Sequence, residues 1–256
     1  MLYVIENLLK RRQREQGYRL LIKSLHIPRG ARLAITGPSG CGKSTTLDLL
    51  GLALRPDSAA RFTFAPNPAA APLDVTALWD HERHDAMAAL RLAHMGYVLQ
   101  SGELLPFLTV GENMTLTARL GGMADAEAEA RARGLAEALG VAHLTGAMPA
   151  TLSVGERQRA AIVRALTPGP QLILADEPTA ALDPVHAARV MDAFLAALDQ
   201  HAGSLVLVTH NADWARRGGL RELAFRMEED EGGVTAVLDD GANAATGSPT
   251  GEGAPC

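Results

Sequence analysis

Gly37-Pro38-Ser39-Gly40-Cys41-Gly42-Lys43-Ser44 decides how the rest of the chain is read. It fits the pattern G-x-x-x-x-G-K-[ST]. Leu33-Ala34-Ile35-Thr36 before it has the make-up of a strand, and Ser44 opens a helix-like run to Leu54. Glycines let the backbone curl so that successive N–H groups point inward at phosphate oxygens. The N-terminus of the following helix adds partial positive charge. In such a loop Lys43 reaches the β- and γ-phosphates, the Ser44 hydroxyl ligates Mg²⁺ and Thr45 sits near the α-phosphate. The plain alternative is a glycine-rich strand-to-helix turn without a ligand. The strand, the lysine and the serine together favour a bound nucleotide with Mg²⁺. Lysine is otherwise scarce: of 24 basic residues only Lys10, Lys23 and Lys43 are lysines. A compact ammonium suits this loop better than a planar guanidinium.

Further strand-like runs are Gly96-Tyr97-Val98-Leu99, Leu172-Ile173-Leu174-Ala175 and Leu205-Val206-Leu207-Val208. Short, nearly all-apolar runs fit strands covered on both faces. Helix-like stretches separate them, including Glu156 to Leu166 and Pro184 to Leu198. Alternation of this kind implies a doubly wound α/β sheet. Ser101 to Leu152 has no convincing strand and is rich in Ala, Leu, Glu and Arg, with Asp125 to Leu139 a strong helix. It reads as a helical lobe, 101–152, inserted in an α/β domain of residues 1–227. Ala59 to Pro72 reads as an irregular surface segment. Residues 228–256 read as an acidic segment and a tail, with Val234 to Leu238 adding one edge strand and Gly241 to Cys256 disordered.

The strand at Leu172 ends in Asp176-Glu177. Asp176, where the strand leaves the core, is placed to hold Mg²⁺. Adjacent strand residues point to opposite faces, so Glu177 is free to face the γ-phosphate and act as general base. Two solvated acids at a strand end are the bland alternative.

The bulk properties agree with one large domain. The chain has 256 residues, 47 % of them hydrophobic, and no stretch nears the roughly 20 apolar residues of a membrane span. The N-terminus lacks the pattern of a signal peptide, and the two cysteines, Cys41 and Cys256, make no disulfide framework. These features read as a soluble, cytoplasmic protein. The net charge of −5 gives no reason to expect nucleic acid as a partner.

Thr151-Leu152-Ser153-Val154-Gly155-Glu156-Arg157-Gln158-Arg159 contains S-x-x-E, an ordinary capping box ahead of a helix. The same string resembles the LSGGQ-type signature of ATP-binding cassette (ABC) proteins. With the phosphate loop before it and Asp176 located 23 residues after Ser153, the resemblance covers about Val4 to Met227. It implies a P-loop NTPase (RecA-like) core with a parallel sheet, an N-terminal antiparallel β part and an inserted α-helical subdomain. Gln100 resembles the Q-loop glutamine, which contacts Mg²⁺ and the attacking water. Ala181-Leu182-Asp183 resembles the D-loop. His210, 33 residues after Glu177, resembles the switch histidine of the γ-phosphate.

The resemblance also implies a head-to-tail homodimer. The phosphate loop of one copy would face Ser153, Val154, Gly155 and Glu156 of the other, because a helix N-terminus is an anion site. Val154 departs from the family's second signature glycine; Gly155 keeps the close backbone approach. Two residues are candidates to stack on the base. Arg12 falls at the usual position and Tyr18 lies six residues on, while Lys10, Arg11, Arg12 and Arg14 also read as a solvated basic run.

Ser101 to Asn113, with Leu104-Leu105-Pro106-Phe107-Leu108-Thr109-Val110-Gly111-Glu112-Asn113, looks like cassettes of the lipoprotein-release and macrolide-efflux group. That implies a partner permease in the membrane, driven from its cytoplasmic face, with part of this segment packing inside the lobe and part lining a groove for the permease. Two alternatives stand beside it. A cassette acting on DNA or the ribosome would need a long coiled coil or a second cassette, and only 110 residues separate Lys43 from Ser153. A non-catalytic ATP clamp fits poorly with Glu177 and His210 both present. The transported substrate and the direction of transport are not written in the chain.

Overall fold

The computed structural model describes residues 1–11, 17–180, 182–199, 203–210, 214, 216, 218–230 and 233–243. In chain order the strands are β1 (Tyr3–Arg11), β2 (Tyr18–Ile27), β3 (Arg32–Thr36), β4 (Arg61–Phe64), β5 (Leu73–Asp74), β6 (Met95–Val98), β7 (Leu172–Asp176), β8 (Ser204–Val208), β9 (Arg221–Ala224), β10 (Arg226–Asp230) and β11 (Gly233–Asp239). The helices are α1 (Lys43–Leu50), α2 (Val75–Asp80), α3 (His84–His94), α4 (Val110–Leu120), α5 (Asp125–Ala138), α6 (Val154–Leu166), α7 (Pro184–Asp199) and the short α8 (Asp240–Asn243).

Two sheets form. The five-stranded sheet runs β6-β7-β8-β3-β9 and every pairing in it is parallel. Its central strands are buried on both faces, as their apolar runs require. Leu33, Ile35, Leu172, Leu174, Val206 and Val208 face one cluster, which contains α1 and the second sheet. Ala34, Ile173, Ala175, Leu205 and Leu207 face the other, which contains α6, α7 and the helical lobe. The period-two alternation of a strand thus splits one apolar run between two cores.

The second sheet runs β10-β11-β2-β1-β4-β5. β1 pairs antiparallel with both β2 and β4, and β11 joins β2 in parallel. This layer contains the antiparallel part expected near the N-terminus.

Two expectations are corrected here. Within 59–72, read as irregular surface, Arg61-Phe62-Thr63-Phe64 is β4, and Phe62 and Phe64 are fully buried. Phe64 stacks on Tyr3 at 4.6 Å between ring centroids. Four residues of alternation among alanines and prolines are a weak local signal; burial of two aromatic rings outweighs it. Val234 to Leu238, expected at an edge, lies inside β11 between β10 and β2, and the acidic Glu228-Glu229-Asp230 belongs to the edge strand β10. Ala236 and Leu238 bury one face of β11 in the core, which draws it inward. Of the expected disordered tail, 244–256 lies outside the described residues.

The helical lobe consists of α4 and α5, packed on α6. No helix among the described residues is long and apolar enough to cross a membrane.

Candidate functional site

The parallel sheet sets the site. All its strands point the same way, so the loops after β3, β6, β7 and β8 gather at one edge, the usual ligand edge of such a sheet. There they enclose a cleft of about 240 Å³ lined by Ser39, Gly40, Gly42, Lys43, Ser44, Thr45, Gln100, Asp176, Glu177 and His210. Ten positions scattered over 172 residues of sequence therefore share one wall-to-wall space.

The phosphate loop owes its shape to packing from below. Gly42 has φ 97° and precedes α1. A side chain there would be strained by the left-handed backbone and would meet Leu20 of β2 at 3.2 Å. Cys41 is buried in the core, and burial pushes its thiol up. Gly37 and Pro38 do not line the cleft; their carbonyls each accept a hydrogen bond of 2.9 Å from Lys43 Nζ. Lys43 is buried. Its ammonium is thereby aimed across the loop it belongs to.

Across the cleft, β7 ends at Asp176, and Glu177 follows with φ 44°. The expectation that the two carboxylates face opposite sides of a strand does not hold. The strand stops between them, and the left-handed turn brings both into the cleft. Such a backbone costs a non-glycine residue roughly 1–3 kcal/mol. It is held by Glu177 N–H donating to the Val208 carbonyl at 2.9 Å. Glu177 Oε1 lies 2.6 Å from His210 Nε2, and His210 Nδ1 lies 3.4 Å from Lys43 Nζ. Behind the cleft, the Tyr97 hydroxyl donates to Asp48 of α1 at 3.1 Å. Burial pushes the Asp48 carboxyl up, with Asp176 adding to the shift.

The signature residues lie elsewhere. Ser153 caps α6, accepting from the Glu156 N–H at 3.3 Å, while Glu156 Oε2 accepts from the Ser153 N–H and hydroxyl at 2.8 and 2.7 Å. These bonds, the hydroxyl's first, hold the Glu156 carboxyl below its usual range. Ser153 and Val154 are exposed. The capping box and an open helix N-terminus thus coexist, and neither residue enters the cleft of its own chain. Asp183 also stays outside it. It accepts from the N–H groups of Val185 and His186 at the start of α7, and its Oδ2 lies 2.6 Å from His186 Nδ1.

Of the two stacking candidates, Arg12 lies outside the described residues. Tyr18 opens β2, half-buried, on the same strand face as Leu20, which packs under Gly42. It does not line the cleft. Gln158 is a residue whose position sequence reasoning missed. It is 3 % exposed on α6 and donates to the Leu99 carbonyl, next to Gln100, at 3.1 Å. A glutamine in a helix carries no local sign of a partner 59 residues away.

Comparison with known proteins agrees with this geometry. The profile of the ABC transporter family matches residues 22–180. A lipoprotein-releasing system ATP-binding protein LolD from Paramagnetospirillum magneticum is 40 % identical over 194 residues, which are 76 % of this chain and 81 % of that protein. A macrolide export ATP-binding/permease protein MacB from Marinobacter nauticus is 40 % identical over 205 residues. The match takes in 79 % of this chain but spans only 30 % of that longer protein. Among solved structures, a dimeric bacterial ABC transporter cassette superposes with TM-score 0.72 at 28 % identity, covering 93 % of this chain and 95 % of that one. A dimeric cassette in a post-hydrolysis state with ADP and phosphate superposes with TM-score 0.72 at 29 % identity, covering 87 % of this chain and 93 % of that one. A cleft built on a phosphate loop, a matching profile over residues 22–180 and relatives that share the fold converge on one conclusion: the chain belongs to the ABC transporter family, as an ATP-binding, ATP-hydrolysing cassette.

Proposed function

We propose that this cassette works as a head-to-tail pair beneath a membrane permease, with one ATP held in each cleft and capped by the partner copy. The observation that carries the reading is the convergence of Lys43, Ser44, Gln100, Asp176, Glu177 and His210 on a single cleft.

The roles follow from the groups. Lys43 and the loop N–H groups hold the β- and γ-phosphates. Glu177 accepts a proton from the attacking water. As the water oxygen bonds to the γ-phosphorus, the bond from that phosphorus to the bridging oxygen breaks and ADP leaves; His210, bonded to Glu177, keeps that carboxylate aimed and faces the γ-phosphate. Ser44, Asp176 and Gln100 offer only oxygen donors, the set that suits Mg²⁺. No group of three His, Cys, Asp or Glu able to hold a metal occurs among the described residues. Phosphate oxygens of a bound nucleotide would supply further oxygen donors beside Ser44, Asp176 and Gln100. Bound there, Mg²⁺ neutralises charge on the β- and γ-oxygens.

The exposed N-terminus of α6 is the half-site for the partner's nucleotide. Its orphan N–H groups and dipole attract a γ-phosphate. Hydrolysis removes the bridging group and lets the pair open. Tyr18 and Arg12 remain the candidates for the base.

The permease contact falls on the segment before α4. Asn113 pins it: its amide donates to the carbonyls of Leu105, Leu108 and Thr109 and accepts from the Leu105 N–H. Leu104 is thereby turned inward, while Phe107 is 72 % exposed. An inward leucine and an outward phenylalanine suit a loop that packs on one side and receives a permease helix on the other. The likeness to a lipoprotein-releasing system ATP-binding protein and to a macrolide export ATP-binding/permease protein supports this reading, in which the cassette lies on the cytoplasmic face of the membrane that holds the permease.

Phosphate release from Mg-ATP tests the core of the proposal. Glu177→Gln should keep ATP binding, lose hydrolysis by at least about 10²-fold and accumulate as a nucleotide-trapped dimer on size exclusion. Parent-like turnover in that variant removes Glu177 as the base.

A further inference from the structure

The Q-loop glutamine is not held in the cleft by its own strand alone. β6 ends at Val98, and Gln100 is itself exposed. What fixes the turn after β6 is the carbonyl of Leu99. It accepts from the Gly102 N–H at 3.1 Å, closing the turn, and from Gln158 Nε2 at 3.1 Å. Gly102 has φ 56°, and a side chain there would meet Gln158 Oε1 at 2.6 Å and the Gln158 Cα at 3.0 Å. The turn that carries Gln100 is therefore pressed onto the backbone of α6 and hooked to it by one buried amide. Gln158 lies five residues after Ser153, on the helix whose N-terminus is left open.

We propose that Gln158 is a positioning residue for hydrolysis, fixing Gln100 at the nucleotide of its own chain according to where α6 sits. This rests on the functional reading above, in which α6 grips the partner's nucleotide at Ser153. When the α6 N-terminus seats on that phosphate, the helix moves as a rigid rod, and the amide hook carries Leu99 and Gln100 with it. Occupancy of one cleft is thereby communicated to the water-positioning group of the other. A bond to a backbone carbonyl suits this role, since it moves the turn whatever side chain stands at position 99. Misplacement of a positioning group by about 1 Å is enough to slow a reaction up to roughly 10²-fold.

The test uses the full chain and four variants: Gln158→Met, Gln100→Ala, the double variant and Glu177→Gln. Methionine keeps the volume of glutamine and loses the donor. Gln158→Met should lower kcat by about tenfold or more, leave KM for ATP near the parent's and melt close to the parent's temperature. The double variant should be no slower than Gln100→Ala alone, because Gln158 acts through Gln100. A purely structural role would instead lower the melting temperature and multiply the two defects. Should Gln158→Met fail to fold, Gln158→Glu, which has the same length and no N–H donor, carries the same expectations. Parent-like kcat in the Gln158 variant, or multiplied defects in the double variant, overturns the proposal. If Glu177→Gln hydrolyses like the parent, the hydrolytic reading itself has failed, and that outcome is distinguishable from failure of the Gln158 hook alone.

Discussion

His210 Nε2 lies 2.6 Å from Glu177 Oε1, across the gap between the ends of two neighbouring parallel strands. The same ring turns its Nδ1 toward Lys43 Nζ at 3.4 Å. One imidazole thus stands between the carboxylate proposed as base and the ammonium proposed to hold the γ-phosphate. Its bond to Glu177 restricts a side chain whose backbone is already in an unusual conformation.

His210→Ala should therefore reduce turnover while leaving nucleotide in the cleft. A fall in kcat of about 10²-fold is expected, the size of losing one preorganised polar contact at a reacting centre. Steady-state phosphate release gives kcat, and calorimetric titration with ATP gives affinity. A parent-like kcat would separate His210 from the chemistry.

Val154 offers a variant whose effects on one copy and on the pair have opposite signs. It is the first residue of α6, 42 % exposed, beside the Ser153 cap. Val154→Asp places negative charge at a helix N-terminus, which favours the isolated fold by roughly 0.3–1 kcal/mol. The same charge repels an incoming γ-phosphate. In a Glu177→Gln background the melting temperature should hold or rise, while the ATP-dependent dimer on size exclusion should be lost. Joint survival of fold and dimer would argue against Ser153-Val154-Gly155 as the trans half-site.

Phe64 tests the segment that the sequence disguised. Its ring is fully buried and stacks on Tyr3, whose hydroxyl donates to the Leu50 carbonyl at the end of α1. Phe64→Ala should cost roughly 3–5 kcal/mol in urea unfolding, with an unchanged denaturant slope. A loss under about 1 kcal/mol would mean that this strand is not part of the core.

Glu112 gives a pH dependence with a defined sign. It closes the capping box of α4 with Thr109, and the Thr109 backbone N–H first, then its hydroxyl, hold the Glu112 carboxyl below the usual range. A carboxyl whose folded value is lowered contributes stability above its unfolded value, about 4.3. That contribution is lost as pH falls through the lowered value. Glu112→Ala should melt below the parent at pH 7, and the gap should close in strongly acidic buffer. A gap that stays constant with pH would assign the loss to something other than the ionised carboxylate.

Much of this molecule is legible along the chain because its decisive features are local. The phosphate loop is eight consecutive residues whose backbone makes the site, so no distant partner is needed to recognise it. The apolar runs of β3, β7 and β8 are strands buried on both faces, and their composition says so directly. The capping box at Ser153 lies within four residues. Direction adds the rest: parallel strands deliver Gln100, Asp176, Glu177 and His210 to one edge once the sheet is known.

What the sequence alone determined was therefore the chemistry of the loop, the apolar strands that frame it and the family to which their spacing belongs. The tertiary structure decided which weak segments are recruited and which side chains meet. β4 and β11 become strands by pairing with β1 and β2 across long separations. Glu177 enters the cleft through a left-handed turn held by Val208, and Gln158 on α6 finds Leu99, 59 residues earlier in the chain. The physical reason is the same in each case. A local motif is stabilised by its own neighbours, whereas these groups gain their free energy from partners that only the folded chain brings within 3 Å or so.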